Sequence, residues 1–386
     1  MPWNESTRMD ERQAFVETYL TGVYTMSELC RSAGVSRPTG YLWVKRYQRN
    51  GEAGLSDRSH AVSYCPHRTP GQIIERLIEL RQEHPFWGPR KLVAVARRRW
   101  PQVAWPSRST VAVMLKREGL SAQRRPSRRR IERAGSTART PPHPNDLWTF
   151  DFKGEFRTGD RHYCYPLTTA DLASRDLLQC VALPSTAGAP VRRHTDDLMR
   201  ELGLPEAIHS DGGAPFAGSG IGRLTQLALH WLKLGIRLER SRPASPQDNA
   251  SHERMHRTLK QETTRPPAAT LAEQQQLFDR FRQQFNHDRP HEALGDRTPA
   301  DLYRPSSRPF PARLAEVAYP GHFELRRITH AGELRWRSER IFLSSVLARH
   351  TVGMEEIDDG VWSVYFANHL LARLDEQVGK LIEVPV

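Results

Sequence analysis

Residues 147–154 read LWTFDFKG, an aspartate set inside an apolar and aromatic run. The run has the composition of a β-strand, and an ionised Asp151 within it is costly unless it is paired, protonated or bound to a cation. Downstream, YCYPLTTADLAS (163–174) and RDLLQCVALP (175–184) read as the next two strands, and a helix is predicted near Val191 to Leu202. EAIHSDGG (206–213) is a short strand with Asp211 at its tip. Helical patterning returns from Arg223 to Leu234, GIRLER (235–240) gives a further strand, and a long helix opens near Asp248 and runs through HERMHRTLKQE (252–262). This order predicts a mixed α/β domain with Asp151 in its first strand, Asp211 at the end of a later one and Glu253 on a helix.

Three carboxylates converging on a strand end form a hard oxygen cage suited to Mg²⁺ or Mn²⁺, and two such ions can activate an attacking oxygen and stabilise a leaving one at a phosphodiester. Taken singly, Asp211 before Gly212-Gly213 is also an ordinary turn residue, and Glu253 before Arg254 an ordinary exposed helix pair. On the Glu253 helix, Asn249, Glu253, His256 and Lys260 share one face by spacing, with Arg257 beside them. His256, Arg257 and Lys260 are thus candidate DNA contacts that offset the repulsion between a polyanion and the carboxylates, although each alone fits a solvated basic face. His209 reads as structural. Arg289, His291 and Glu292 of RPHEAL (289–294), after a helix ending near Asn286, read as braces of the core.

Charge is distributed unevenly. The 386-residue chain has a formal net charge of +13, and residues 1–140 hold 26 Lys and Arg against 12 Asp and Glu, whereas residues 141–386 hold 31 against 32. A polyanionic partner is indicated, nucleic acid first. The densest part, residues 124–139, has seven Arg and one Glu among Pro, Ser and Gly, and reads as a linker that neutralises phosphates, Arg128, Arg129 and Arg130 included. Mean hydropathy is -0.64 and no apolar run reaches the roughly 18 residues of a membrane span. The N-terminus lacks the apolar core of a secretory signal, so a reducing, cytoplasmic setting is expected. Cys30, Cys65, Cys164 and Cys180 are too widely spaced for a zinc site or a disulfide framework.

From Glu11 to Arg49 the pattern is helix, second helix over Met26 to Ala33, a turn at Gly34 and Val35, and a third helix entered at Ser36. Ser36 caps it, Pro38 suits its first turn, and Leu42, Val44 and Tyr47 are the expected apolar anchors. This is helix-turn-helix patterning, with Arg37, Thr39, Tyr41 and Lys45 free to face a major groove; a generic three-helix bundle is the alternative. A second unit spans Thr69 to Gln123. Ile73, Ile74, Leu77, Ile78 and Leu80 mark one helix, HPFWGPRKL opens the next, and Ser107 begins a third, leaving Arg97, Arg98, Arg99, Lys116 and Arg117 as basic surface.

WTFDFKG, IHSDGGAPF, SRPASPQDNASHERMHRTLKQE and FNHDRPHEALGDRTPADLYRP together resemble the successive signatures of bacterial insertion-sequence transposases with a retroviral-integrase-type core. The resemblance is strong over residues 145–305 and extends to the architecture on either side. It implies an RNase H-like fold, a catalytic and metal-binding triad of Asp151, Asp211 and Glu253, Mg²⁺ or Mn²⁺ as two ions, and double-stranded DNA as partner, both element ends and target. It also implies a homo-oligomer on DNA, no membrane, and a bacterial, nucleoid-associated setting. The sequence departs from the family where Gly212 replaces Asn and Ala250 replaces Gly, and it lengthens the interval before Glu253, with the extra residues placed in AGSGIGRL (217–224). An Asn beside the second Asp can orient its carboxylate, so Gly212→Asn is expected to raise activity unless Gly212-Gly213 forms a left-handed turn.

From Tyr319 onward short apolar stretches alternate with turns, which fits a small β-barrel of the kind appended to such cores. Arg326, Arg327, Arg335, Arg337 and Arg340 are expected on its strand surfaces. The expected chain is multidomain: N-terminal all-α helix-turn-helix units (1–60 and 69–123), an Arg-rich linker (124–144), a central α/β RNase H-like integrase core (145–305) and a C-terminal small β domain (318–386). The expected function is DNA cleavage and strand transfer. A nuclease that cuts without joining and a transposase-derived DNA-binding regulator are the alternatives.

Overall fold

The computed structural model describes residues 7–57, 68–121, 141–240 and 250–383. Arg128, Arg129, Arg130, Asn249 and Cys65 lie outside the described residues. The chain divides into two units, Met1–Thr69 and Pro70–Val386.

The first unit has three helices, α1 (Arg8–Leu20), α2 (Met26–Ser32) and α3 (Arg37–Asn50), whose N-caps Thr7, Thr25 and Ser36 each accept a hydrogen bond from the first turn. Gly34 takes a left-handed φ of 66° in the turn between α2 and α3. A side chain at Gly40 would meet the sulfurs of Met26 and Cys30 at 2.7 and 2.8 Å, so glycine lets α3 cross α2 closely. Val16, Met26, Cys30, Val44 and Leu55 form the core. Leu42, expected as an anchor, is 45% exposed. It lies two residues from buried Val44, about 200° around the helix, and shares the outer side with Tyr41.

In the second unit α4 (Gly71–Glu83), α5 (Pro89–Arg99) and α6 (Arg108–Arg117) close over Leu77, Leu80, Leu92, Ala96, Val111 and Leu115. This bundle is fastened to the segment after the central domain's last helix. Arg90 pairs with Glu292 and, at 3.1 Å, with Asp296; Arg98 grips Asp301 with two bonds of 3.0 Å. Arg98, read from sequence as free basic surface, is thus engaged within the chain, and Arg99 pairs with Glu83.

The central sheet contains β1 (Trp148–Phe152), β2 (Phe156–Arg157), β3 (Tyr163–Asp171), β4 (Leu177–Leu183), β5 (Ala207–Ser210) and β6 (Arg237–Arg240). Its order is β4-β3-β1-β5-β6, with β2 on β3; β3 runs antiparallel to β1 and β4, while β1, β5 and β6 are parallel. This is an RNase H-like core. On one face α7 (Gly188–Leu202) and α8 (Gln226–Lys233) bury Trp148, Phe150, Phe216 and Trp231. On the other, α9 (Ala250–Thr263) and α10 (Leu271–Gln283) pack Met255, Leu259, Phe278 and Phe281 against β3 and β4. Period-2 alternation along β1 therefore sends Phe150 to one side and Thr149 with Asp151 to the other.

The C-terminal region is a five-stranded antiparallel sheet and a hairpin. The sheet has the order β13 (Lys380–Glu383), β12 (His369–Asp375), β11 (Val361–Phe366), β10 (Thr351–Asp358), β7 (Glu324–Arg327); β8 (Glu333–Trp336) and β9 (Glu339–Phe342) form the hairpin. Its core includes Leu224, Ala228, Leu229 and Leu232 from α8 and the loop before it. Helix α8 is consequently apolar on two sides, with Leu227 and Trp231 facing the central core.

Candidate active site

The parallel pairing of β1 with β5 puts the C-terminal ends of both strands at one edge. Trp148 is opposite Ile208, Thr149 opposite His209 and Phe150 opposite Ser210, so one further step sets Asp151 beside Asp211. Asp211 and Glu253 are exposed, while the Asp151 side chain is 20% exposed. Burial pushes the Asp151 carboxyl up to about 7, and the charge of Asp211 and, more weakly, of Glu253 pushes the same way; Lys153 opposes them. Asp151 is therefore close enough to feel both other carboxylates.

Helix α9 crosses this edge through two buried histidines. The Thr168 hydroxyl lies 2.7 Å from Nε2 of His252 and 2.7 Å from Nε2 of His256, and donates to the Asp151 carbonyl at 3.0 Å. Nδ1 of His252 is 2.7 Å from the Thr149 hydroxyl. Nδ1 of His256 faces Oδ2 of Asp151 at 3.7 Å. Burial holds both rings neutral, pushing His252 down to about 3 and His256 down to about 2.

Asp151, His252 and His256 each bring a ligand atom to within 4.8 Å of the others and could hold one metal ion. A ring nitrogen facing a carboxylate that two further carboxylates crowd is a donor set that a cation would satisfy. His256, grouped by sequence with the basic residues of the helix, is buried and turned inward; Arg257 and Lys260 of that group are exposed. His209 is buried on β5. Lys153 and Lys260 repel one another, and burial with that repulsion lowers Lys153. Sequence reading passed over Lys153 and His252, although both stand within one or two residues of a predicted carboxylate.

The turn after Asp211 has an unforeseen partner. The Arg223 guanidinium donates to the Gly212 carbonyl at 2.8 Å and lies 2.9 Å from where a Gly212 side chain would begin. The loop that carries it, within AGSGIGRL, is held by Arg240, which donates to the Gly222 and Arg223 carbonyls at 3.1 and 3.0 Å. Neither Gly212 nor Gly213 is left-handed, which removes that explanation for the pair. In the helical units, Arg37, Tyr41 and Lys45 are exposed on α3 and Thr39 is half-buried beside Ser36. Arg289 pairs with Glu262 at 3.0 Å, as a brace should.

A sheet of this order with a carboxylate-bearing edge crossed by a helix is the arrangement of an RNase H-like core. Integrase core domain families match residues 141–246 and 234–299, a helix-turn-helix domain family matches residues 11–61, and a homeodomain-like family matches residues 39–115. Over residues 141–299 the chain thus matches the integrase core domain, and it is similar to proteins of two insertion elements. It is 25% identical over 232 residues to an uncharacterized 31.7 kDa protein of insertion element IS407 of Burkholderia multivorans, covering 60% of this chain and 80% of that one. To an uncharacterized 39.2 kDa protein of IS476 of Xanthomonas euvesicatoria it is 26% identical over 254 residues, 65% and 70% of the two chains. Among solved structures it is similar to a chain of the simian T-cell lymphotropic virus intasome complex with PP2A regulatory subunit B56 gamma (14% identity, 76% of this chain, 97% of that one, TM-score 0.38). It is also similar to the HTLV-2 integrase catalytic core domain with magnesium (12% identity, 42% and 97%, TM-score 0.32). Among the described residues, no helix is long and apolar enough to cross a membrane.

Proposed function

We propose that the protein is a transposase that binds the ends of a mobile element and carries out DNA cleavage followed by strand transfer at the Asp151 edge. The observation that supports this most is the convergence of charge on Asp151, raised by burial and by both Asp211 and Glu253. A carboxylate kept in so unfavourable a place points to a cationic ligand. In this reading Asp151, Asp211 and Glu253 are the catalytic, metal-holding residues, with the buried imidazoles of His252 and His256 setting the position of Asp151. Held by these carboxylates, magnesium or manganese as two ions would supply activation of the attacking oxygen and stabilisation of the leaving one. Lys153, Arg257 and Lys260 offset the charge of the incoming phosphates.

The reaction takes two steps. Water displaces a strand at the element end, breaking one P–O bond and leaving a 3′-hydroxyl; that hydroxyl then attacks a target phosphodiester, and its proton is lost as the target's own 3′-oxygen leaves. Arg37, Thr39, Tyr41 and Lys45 read the element end, and Arg128, Arg129 and Arg130 neutralise phosphates on either side of it. Copies of the chain on the two ends are brought together as a homo-oligomer on DNA.

The test is the purified full chain with candidate element-end DNA and Mg²⁺. Asp151→Asn, Asp211→Asn and Glu253→Gln are each expected to abolish cleavage and leave DNA binding intact, and a chelator to stop it in the parent. Strong cleavage by any of the three removes that residue from the triad. Cleaved ends that never join to target DNA identify a nuclease instead.

A further inference from the structure

Beside α9 lies a cavity of about 340 Å³ that none of Asp151, Asp211 and Glu253 lines. Against a floor of β1 and β3 it is walled by α5 with Lys91, the turn after β3 with Arg175, the first half of α9 with Arg254 and Arg257, and the segment after α10 with Arg289 and His291. Five of those six side chains are cations. The carboxylates nearby are already engaged. Asp171 accepts from the Asn145 and Ser174 amides and the Ser174 hydroxyl at 2.6 to 2.7 Å, Glu292 pairs with Arg90, and Glu262 pairs with Arg289.

Lys91 and Arg175 are half-buried and have no hydrogen-bond or ion-pair partner among the described residues. Arg175 is also held in a left-handed conformation at φ 63°. Burial and the neighbouring Arg289 push Lys91 down to about 8, and burial with Arg254 lowers Arg175. His291 is neutral, pushed down to about 4 by burial, Arg289 and Lys91, and its Nε2 is buried with no hydrogen-bond partner among the described residues, so the attraction comes chiefly from Lys91 and Arg175, with exposed Arg257 beside them. Glu262, already paired with Arg289, acts on Lys91 only as a weaker opposing charge, and among the described residues no carboxylate opposes Arg175. These partly buried cations therefore raise the energy of the empty cavity, and an anion entering it removes that cost.

We propose that this cavity grips a backbone phosphate of duplex DNA between the second helical unit and the integrase core. Exposed Arg254 and Arg257 continue the positive surface along α9, which suits a phosphate belonging to a strand. Because Lys91 comes from α5 and the other cations from the core, the bound phosphate ties the two together. The proposal rests on the DNA-binding half of the reading above and on none of its chemistry.

The experiment uses the full chain without divalent metal, a fluorescent DNA duplex, and inorganic pyrophosphate as a separate probe. Lys91→Ala/Arg175→Ala is expected to weaken duplex binding and to lower the slope of log affinity against log salt by about one, the signature of one lost phosphate contact. Lys91→Arg, which keeps the charge, is expected to retain the parental slope. The melting temperature of the alanine variant without DNA should stay level or rise, because two unpaired cations are gone. Unchanged affinity and slope overturn the proposal, as does a clear fall in melting temperature, which would give these side chains a structural role instead. Saturable pyrophosphate binding that the variant loses while duplex binding is unchanged shows a pocket for free phosphate and overturns the DNA assignment. A parent chain that binds no duplex overturns the DNA reading itself, this pocket included.

Discussion

Gly212 illustrates how a departure in sequence can be answered elsewhere in the chain. The space a side chain would take there is filled by the Arg223 guanidinium, bonded to the Gly212 carbonyl one residue from Asp211, and the Gly213 amide reaches Oδ1 of Asp211 at 3.3 Å. Gly212→Asn is therefore expected to displace Arg223 and to leave cleavage unchanged or lower, the reverse of the gain expected from sequence. Arg223→Ala, which frees the turn, should lower the rate about 10-fold, within the range that partners of a ligand are worth. A rate above parental in the Asn variant would show that Arg223 does not stand in for the missing side chain. Asp151 yields a second residue-scale prediction. Its folded pKa of about 7 exceeds the ordinary carboxylate value, so the folded state binds more protons than the unfolded between about pH 4 and 7, and stability must fall as pH rises through that window. Without metal, Asp151→Asn should remove part of that fall, and adding Mg²⁺ should stabilise the parent increasingly toward pH 8 while doing little for the variant. Equal melting profiles of parent and variant from pH 5 to 8 would contradict a crowded Asp151.

At the scale of elements, α9 is held to the sheet by a polar seam of Thr149, Thr168, His252 and His256 as well as by Met255 and Leu259. Thr168→Val removes the hydroxyl that both imidazoles use and strands two buried ring nitrogens. The expected loss is about 1 to 3 kcal/mol for each unsatisfied group, read as a lower denaturation midpoint. Cleavage should fall further than stability explains, because the helix carrying Glu253 is no longer fixed beside Asp151. Much of this region was legible in the sequence. The strand of Asp151, the strand ending before Asp211 and the helix of Glu253 follow from local patterning, since period 2 and period 3.6 are written in adjacent residues. The seam was not legible, because Thr168 stands in a run of ordinary strand residues and acquires its role only when β3 aligns it with Asp151. Arg223 was illegible for the same reason: a loop residue eleven positions from Gly212 gives no local signal of where its guanidinium ends.

The whole molecule differs from a string of modules. Sequence composition separates a basic N-terminal third, a central α/β region and a β-rich tail, yet α4 to α6 are fastened to the core by Arg90 and Arg98, and the tail shares its core with α8. Long-range pairing of this kind leaves no trace in periodicity, although α8 carried a hint in being apolar on more than one side. Removing residues 318–386 should then do more than delete an appendage. Leu224, Leu229 and Leu232, 5% exposed or less in the intact chain, would lose the partners supplied by Leu347, Val352, Met354, Phe366 and Leu371. At about 1.5 to 3 kcal/mol for each large apolar side chain returned to water, three such losses approach the whole stability of a typical domain. A chain ending at residue 317 is thus expected to melt well below the full chain or to aggregate, with Asp211 affected through the loop that packs Gly222 against Leu371. Replacing Leu229 and Leu232 with polar residues in the truncated chain should restore solubility without restoring cleavage. Thermal unfolding and sedimentation of the three proteins decide the matter, and a truncated chain as stable and soluble as the full one would show that the tail is an independent domain after all.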